Sequence, residues 1–180
     1  WALDKDLAYA RHYPAVGWLN SYSEYDVDVR AWWDAFDERW ATIRHDAMNL
    51  LKREQRLEQI VKLIGPDAVP DAERLVLIVS EMIRNGFLQQ SAFDAIDMYS
   101  VAGKQIAILS LMMMFYNRAL DLLKRGAPLS KILHLPVRED IVRIKTTVPN
   151  DRLDMIQEIE SKLQVQFGSL EQQFQRKVAL

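Results

Sequence analysis

The sequence predicts an all-α fold, a helical bundle preceded by a short extended segment. Apolar residues recur at steps of three and four through most of the chain, the period of a helix with one buried face. Only 6 Gly and 6 Pro occur in 180 residues, too few for an all-β chain that turns every ten residues or so. Nearly half of the residues (49%) are hydrophobic, which is enough to bury a sizeable core.

Charge and cysteine content exclude several classes of function. Lys and Arg number 23 against 25 Asp and Glu, and this balance disfavours nucleic acid or an acidic membrane surface as a partner. The absence of cysteine excludes disulfides and thiolate chemistry. No run approaches the roughly 18 apolar residues of a membrane span. The apolar run 106–116 is therefore interpreted as a buried core helix, in which Met112, Met113 and Met114 fill gaps.

The first twenty-five residues carry extended and turn signals rather than a helical stripe. These signals include the Tyr13-Pro14 step, Gly17 and Asn20. The chain begins at Trp1 rather than Met, and all 5 tryptophans lie within the first forty positions. We expect the sequence to be a fragment whose parent protein extends upstream.

From Val27 onward the pattern is helical. Apolar side chains follow helical steps at Trp33, Phe36, Trp40 and Ile43, and again at Leu57, Ile60, Val61 and Ile64. This helix must stop at Gly65-Pro66, because proline lacks an amide hydrogen and disfavours helix before it.

Further helices are predicted after a short loop at 65–72. One covers Glu73 to about Leu88 and is apolar on nearly every side at 75–79, so we expect it to lie centrally in the bundle. Another follows Gly103 and ends near Gly126, and shorter helices follow at 130–133 and after Pro136. The last helix is capped by Asn150 or Asp151 and buries the stripe Leu153, Ile156, Ile159, Leu163, Phe167, Leu170 and Phe174.

The residues alone reveal no catalytic constellation. The pairs Asp94 with Asp97 and Asp34 with Glu38 are interpreted as solvated helix faces. The glycine-rich GxxxxGK[ST] and GxGxxG runs are absent from the sequence, as is a GxSxG elbow. The three histidines lack the spacing of a metal site and are interpreted as surface or packing residues: His12, His45 and His134.

Four stretches together resemble the catalytic A subunit of archaeal and vacuolar-type rotary ATPases, over its C-terminal third. They occur in the family's order and are WALDKDLAYARHYPAVGWLNSYSEY (1–25), LIGPDAVPDAERL (63–75), FLQQSAFDAIDMYS (87–100) and LPVREDIVRIK (135–145). The resemblance implies that residues 1–25 are the C-terminal edge of a nucleotide-binding domain and that residues 26–180 are the C-terminal helical bundle domain. Ser91 departs from the family, which usually has Asn there.

The resemblance implies an ATP-driven pump for H+ or Na+ or, in reverse, an ATP synthase. The P-loop lysine, the catalytic Glu and the magnesium ligands would lie upstream of Trp1, so no catalytic or metal-binding residue is expected here. The fragment alone is expected to be inactive and to bind no cofactor, while the whole subunit uses ATP or ADP with Mg2+. Implied partners are the B subunits of a hexameric ring and central shaft subunits, on the cytoplasmic face of a membrane and without insertion into it.

By position in the motifs, Tyr13 and Phe93 resemble the aromatics that hold the adenine ring, with Tyr99 as a weaker third candidate. The alternative is that these are ordinary core aromatics. Stacking contributes at most about 1–3 kcal/mol per ring, whereas a millimolar complex needs about 4 kcal/mol. The isolated chain is therefore expected to bind ATP at millimolar affinity or worse.

The loop 65–71 resembles the acidic tip that pushes on the shaft in the related F-type β subunit. Its residues with this implied role are Gly65, Pro66, Asp67, Pro70 and Asp71. A plain interhelical turn remains an alternative. For the whole chain, the rival hypotheses are a non-enzymatic helical protein-interaction module and, less supported, a small-molecule enzyme. An upstream P-loop would distinguish the motor from the interaction module, and the small-molecule enzyme is disfavoured because no acid/base or nucleophile set is visible.

Overall fold

The computed structural model describes residues 1–65 and 68–178. Within these ranges the fold is an all-α bundle, as predicted, and its β-structure is limited to one isolated antiparallel bridge between Leu3 and Val16. A 3-10 turn at Glu24–Asp26 and a π turn at Arg84–Leu88 accompany the α-helices. These are α1 (Lys5–Tyr9), α2 (Arg30–Asp34), α3 (Trp40–Ile64), α4 (Asp71–Ile83), α5 (Ala102–Lys124), α6 (Leu129–Leu133), α7 (Val137–Thr147) and α8 (Asp154–Val178).

The bundle is built around α5, which packs against α3, α4, α7 and α8. Met112 and Phe115 on this helix are fully buried, so the prediction of a core helix at 106–116 is confirmed.

Among the helices described, α5 is also the one long and apolar enough to cross a membrane. However, 56% of that stretch is buried inside the bundle, and the bundle core accounts for its composition.

Two predicted features of the helix pattern are confirmed. The helix α3 ends at Gly65, whose φ of 83° lies in the left-handed region that glycine adopts without strain. The predicted stripe of α8 faces the core, and its members from Ile156 to Phe174 are buried. This stripe is the face by which α8 packs on α5 and α7.

The first twenty-five residues are not wholly extended, contrary to the prediction. The helix α1 forms because the carboxylate of Asp4 accepts hydrogen bonds from the backbone N–H groups of Asp6 and Leu7, at 2.9 and 3.1 Å. These bonds satisfy donors that a helix start leaves free. A single capping residue thus stabilises a helical turn among residues whose composition favours loops.

The helix predicted from Val27 is interrupted between α2 and α3. The Asp37 carboxylate accepts the backbone N–H of Arg39 at 2.8 Å and pairs with its guanidinium at 2.7 Å, which stabilises a turn at this point. Asp34 ends α2 and Glu38 lies in the turn. The prediction that these two acids share a helix face was wrong.

The predicted cap of the last helix was also wrong. The helix α8 begins at Asp154, beyond both Asn150 and Asp151. The side-chain oxygen of Asn150 accepts the backbone N–H of Val101 at 3.2 Å, and its amide donates to the carbonyl of Tyr99 at 2.9 Å. Because both ends of this amide bind another segment, Asn150 is not available as a cap.

The π turn follows α4 where the sequence predicted one continuous helix. The backbone N–H of Gln89 donates to the carbonyl of Arg84 at 2.8 Å, a five-residue step that defines this kind of turn. A Cβ atom at the buried Gly86 would lie 2.6 Å from Met112 Cε and 3.1 Å from Val142 Cα. Glycine therefore lets the turn lie directly against α5 and α7.

Candidate functional site

An open cavity lies where the N-terminal segment meets the loop after the π turn and the end of α7. Its volume is about 790 Å3, within the range of small-molecule sites. Three segments line it with aromatic, polar and charged groups: Arg11, Tyr13 and Pro14; Gln89, Gln90, Ser91, Ala92, Phe93, Asp94, Asp97 and Met98; Lys145 and Thr146.

Tyr13 and Phe93 both line this cavity, although 80 positions separate them in the chain. The chain reverses after α1, with Arg11 in the left-handed region (φ 56°), and this turn brings Tyr13 to the cavity wall. Tyr13 is 54% exposed and Phe93 is fully exposed. The alternative that they are ordinary core aromatics was therefore wrong. Exposed ring faces at one cavity are suited to stacking on a flat ligand.

Gln90 connects the two walls that carry these rings. Its backbone N–H donates to the carbonyl of Tyr13 at 2.8 Å. Its side-chain amide donates to the carbonyl of Asp97 at 2.7 Å, so the loop that carries Phe93 is closed on itself and tied to the N-terminal segment. These hydrogen bonds fix the backbone positions of the two segments that carry the rings.

The loop is anchored to the bundle by a buried ion pair. The Asp97 carboxylate accepts the backbone N–H of Ser91 at 2.8 Å and lies 3.7 Å from the ammonium of Lys145 on α7. The same ammonium donates to the carbonyl of Gln89 at 2.8 Å. The side chains of Asp97 and Lys145 are only 6% and 16% exposed, and water therefore screens their attraction weakly.

The interpretation of Asp94 and Asp97 as a solvated helix face was wrong. The segment is a series of turns, in which the Asp94 carboxylate accepts the N–H groups of Ile96 and Asp97 at 2.9 and 2.8 Å. These backbone donors, that of Asp97 first, lower the pKa of Asp94. Asp97 itself is buried. Asp residues favour this arrangement because their short side chains bond to nearby backbone N–H groups.

A buried lysine lies behind the cavity wall. Lys104 on α5 is 1% exposed, and its ammonium donates to the backbone carbonyl of Lys145 at 3.0 Å. Burial lowers the pKa of both lysines, and the carboxylate of Asp97 opposes this shift. The ammonium groups of Lys104 and Lys145, both partly removed from water, thus stabilise the Asp97 carboxylate and two backbone carbonyls, those of Gln89 and Lys145.

The structure does not place Tyr99 in the cavity. Its side chain is 65% exposed and is not among the residues that line the wall.

Of the residues predicted to form the shaft-contacting tip, Gly65 ends α3, Pro70 precedes α4 and Asp71 is the first residue of α4. Pro66 and Asp67 lie outside the described residues.

His12 is a packing residue, as predicted. It is buried, its Nε2 lies 3.1 Å from the carbonyl oxygen of Arg84, and its ring contacts Trp18 at 5.5 Å between centroids. Nearby, Glu54 pairs with the Arg84 guanidinium, and burial raises the pKa of this carboxyl. Over residues 1–65 and 68–178, no three His, Cys, Asp or Glu side chains are placed to hold a metal ion.

Sequence reasoning assigned no role to the two lysines that support the cavity. Lys104 stands near the start of a helix that is otherwise largely apolar. A lone lysine in such a stretch signals a buried cation with a polar partner, because lysine is almost never fully buried unpaired. Nothing in the local sequence identifies the partner, which lies 41 positions away.

The chain is a helical bundle domain, and an open cavity lined in part by aromatic side chains lies where the bundle meets the N-terminal segment. Residues 30–133, more than half of the chain, match the family described as the C-terminal domain of V and A type ATP synthase. The chain belongs to this family.

Named relatives agree with this assignment. The V-type ATP synthase alpha chain of Halothermothrix orenii is 40% identical over 176 residues, which cover 97% of this chain and 30% of that protein. The A subunit of the A-type ATP synthase of Methanopyrus kandleri is 45% identical over 94% of this chain and 29% of its own length. That of Pyrococcus abyssi is 46% identical over 81% of this chain and 14% of its own length. The chain thus spans less than a third of these relatives.

Proposed function

We propose that this chain is the C-terminal part of the catalytic A subunit of an A/V-type rotary ATPase. The whole subunit would couple ATP hydrolysis or synthesis to the transport of H+ or Na+. Relatives that are named as alpha chains or A subunits of ATP synthases support this proposal, since they match almost the entire chain. The chain alone would be inactive, with the P-loop and the magnesium ligands in the upstream part of the protein.

We assign the cavity to adenine binding because Tyr13 and Phe93 both line its walls. An adenine ring is flat and largely apolar on its faces, so it would stack against these exposed aromatic rings. The cavity is open and its polar groups are mostly engaged with one another, as for Asp97 with Lys145. Stacking would therefore supply most of the attraction, which agrees with weak binding of ATP by the chain alone.

Replacing Phe93 by Ala in the whole assembly tests this role. Loss of one stacked ring costs about 1–3 kcal/mol, so we expect the Michaelis constant for ATP to rise about 5- to 150-fold. The matched control is Tyr99→Ala, which removes an exposed aromatic ring that lies outside the cavity. An unchanged Michaelis constant in Phe93→Ala, or equal effects of the two variants, contradicts the adenine pocket.

The loop between α3 and α4 would form the tip that contacts the central shaft. Gly65 ends α3 in a left-handed conformation and Pro70 fixes the chain directly before α4. Asp71 is exposed, and its contact with Arg74 at 3.4 Å lies at the surface. A tip bounded in this way would transmit a push without folding away.

The remaining assignments follow from the proposed role. The partners would be the B subunits of a hexameric ring and the subunits of the shaft. Nucleotide and Mg2+ would be held by the whole catalytic protein, not by this chain alone. The assembly would form a peripheral sector on the cytoplasmic face of a membrane.

A further inference from the structure

Four aromatic rings form a continuous path from the bundle core to the surface, which we call the aromatic ladder (Trp40, Trp33, Trp32 and Phe36). Trp33 stacks on Trp40 with 4.8 Å between ring centroids. Trp32 meets Trp33 edge-on at 4.8 Å and Phe36 at 4.9 Å. The turn between α2 and α3 makes this contact possible, because it folds α2 back against the first turn of α3.

The inner end of the ladder is buried and the outer end is not. Trp40 is 8% exposed, whereas Trp32 and Phe36 are 55% and 54% exposed. Four further exposed apolar side chains precede them in the chain: Tyr22, Tyr25, Val27 and Val29. Exposed apolar patches of this kind mark interaction surfaces, and Trp is strongly enriched among the residues that dominate binding energy.

The segment that carries the outer rings of the ladder is rich in acidic residues. Residues 24–39 contain six carboxylates and two arginines, and the carboxylates are Glu24, Asp26, Asp28, Asp34, Asp37 and Glu38. Arginines 30, 39 and 44 pair with three of them. In the described part of the chain, Glu24, Asp28 and Glu38 form no ion pair.

We propose that the outer rings of the ladder and these three carboxylates bind a basic, apolar segment of a partner protein. Apolar side chains of that segment pack on Trp32 and Phe36. Its Lys and Arg side chains meet the carboxylates and the ring faces, both of which attract cations. The same carboxylates repel anionic lipid headgroups and nucleic acid phosphates, which disfavours those surfaces as occupants.

This surface shares no residue with the cavity that Tyr13 and Phe93 line. The interaction therefore does not depend on nucleotide binding there. A loss of ATP affinity caused by a cavity variant and a loss of partner contact caused by a ladder variant are separate results.

Photo-crosslinking in the whole assembly tests the proposal. A benzophenone amino acid replaces Phe36, and mass spectrometry identifies the segment to which it couples. We expect a segment of another protein in which Lys or Arg flank apolar residues. The control places the same amino acid at Ile60, which is 46% exposed on α3 and lies 20 residues beyond Trp40, about 30 Å along the helix.

Charge reversal supplies the second measurement. Asp28→Lys combined with Glu38→Lys places cations at exposed, unpaired positions of the segment that carries the outer rings, so like-charge repulsion is expected to lower the crosslink yield about 10-fold. The matched control, Asp28→Asn with Glu38→Gln, removes the charges without reversing them and has a smaller effect. Raising the salt concentration lowers the yield of the parent protein, because salt screens surface charges.

The identity of the molecule that couples to position 36 shows whether the proposal is correct. A basic, apolar segment of another protein, with a yield sensitive to charge reversal, supports it. Coupling to lipid, to a second copy of this chain, to another part of the same chain, or to a segment without basic residues overturns it. So does an assembly in which position 36 couples no more than position 60. Far-UV circular dichroism of each variant confirms that the bundle is folded.

Discussion

The backbone N–H of Gln90 donates a hydrogen bond to the carbonyl oxygen of Tyr13 at 2.8 Å. This bond links the N-terminal segment to the loop that carries Phe93, across 77 positions of sequence. The loop is in turn fixed to α7 by Asp97 and Lys145. The backbone positions that carry the two cavity rings are therefore held by hydrogen bonds and an ion pair in the cavity wall.

Asp97→Ala is expected to destabilise the protein by about 2–4 kcal/mol. The substitution leaves the Lys145 ammonium largely buried without its carboxylate and removes the acceptor of the Ser91 N–H. Urea unfolding measures the effect. The control is Asp121→Ala, which breaks a pair with Lys124 that is more than 60% exposed on both sides and costs less than about 1 kcal/mol. Equal losses in the two variants contradict the anchoring role.

Gly86→Ala and Gly168→Ala are expected to have opposite effects. At Gly86 a Cβ atom meets Met112 and the backbone of Val142, and overpacking of this kind costs about 1–3 kcal/mol. At Gly168, within α8, nothing lies within 4 Å of such an atom, so alanine stabilises the helix by about 0.5–1 kcal/mol. Thermal unfolding of the two variants checks both signs. A stabilised Gly86→Ala protein contradicts the close approach of the π turn to α7.

The free energy of unfolding is expected to rise with pH on the alkaline side. Burial lowers the pKa of Lys104 below its ordinary value of 10.5. Between the lowered pKa and 10.5 the unfolded chain binds more protons than the folded protein, and stability therefore increases with pH in this window. Lys145 contributes in the same direction, because burial also lowers its pKa.

Lys104→Met separates the contribution of Lys104 from that of Lys145. Methionine replaces the buried ammonium by an apolar side chain, so the alkaline rise in stability becomes smaller in the variant. Near neutral pH the variant is expected to be less stable than the parent, because the backbone carbonyl of Lys145 in the last turn of α7 loses its buried donor. Urea titrations across the alkaline range measure both slopes. Parallel curves for the two proteins rule out this assignment.

Replacing Pro66 and Pro70 by Gly in the whole assembly is expected to loosen the coupling between hydrolysis and rotation. Glycine restores backbone freedom that proline removes, so the tip would yield under load. Single-molecule rotation assays measure the torque. Alanine at both positions serves as the control for loss of the proline rings alone. Unchanged torque in the glycine variant counts against a shaft-contacting tip.

The sequence predicted those parts of the fold that follow from periodicity and chain breaks. The core helix α5, the stop at Gly65 and the stripe of α8 are each determined by local composition. The errors arose where one polar side chain overrides composition. Asp4 caps α1 and Asp37 stabilises the turn before α3. Such bonds are visible only once the backbone path is known.

The candidate site was accessible from the sequence only in part. Resemblance to a family pointed to Tyr13 and Phe93, and the structure brings them to one cavity. The supporting pairs join positions far apart in the chain, such as Lys104 with the carbonyl of Lys145. These contacts depend on how α5 and α7 pack, which periodicity does not specify.

All 5 tryptophans of this chain precede residue 41, which gives the chain two different optical reporters. Tryptophan emission monitors the N-terminal segment and the aromatic ladder, while far-UV circular dichroism is dominated by the later helices. In an equilibrium unfolding experiment the two signals coincide only if both regions unfold in one cooperative step. Separate midpoints would show that residues 1–40 melt as a unit of their own, without any need for labels or truncated chains.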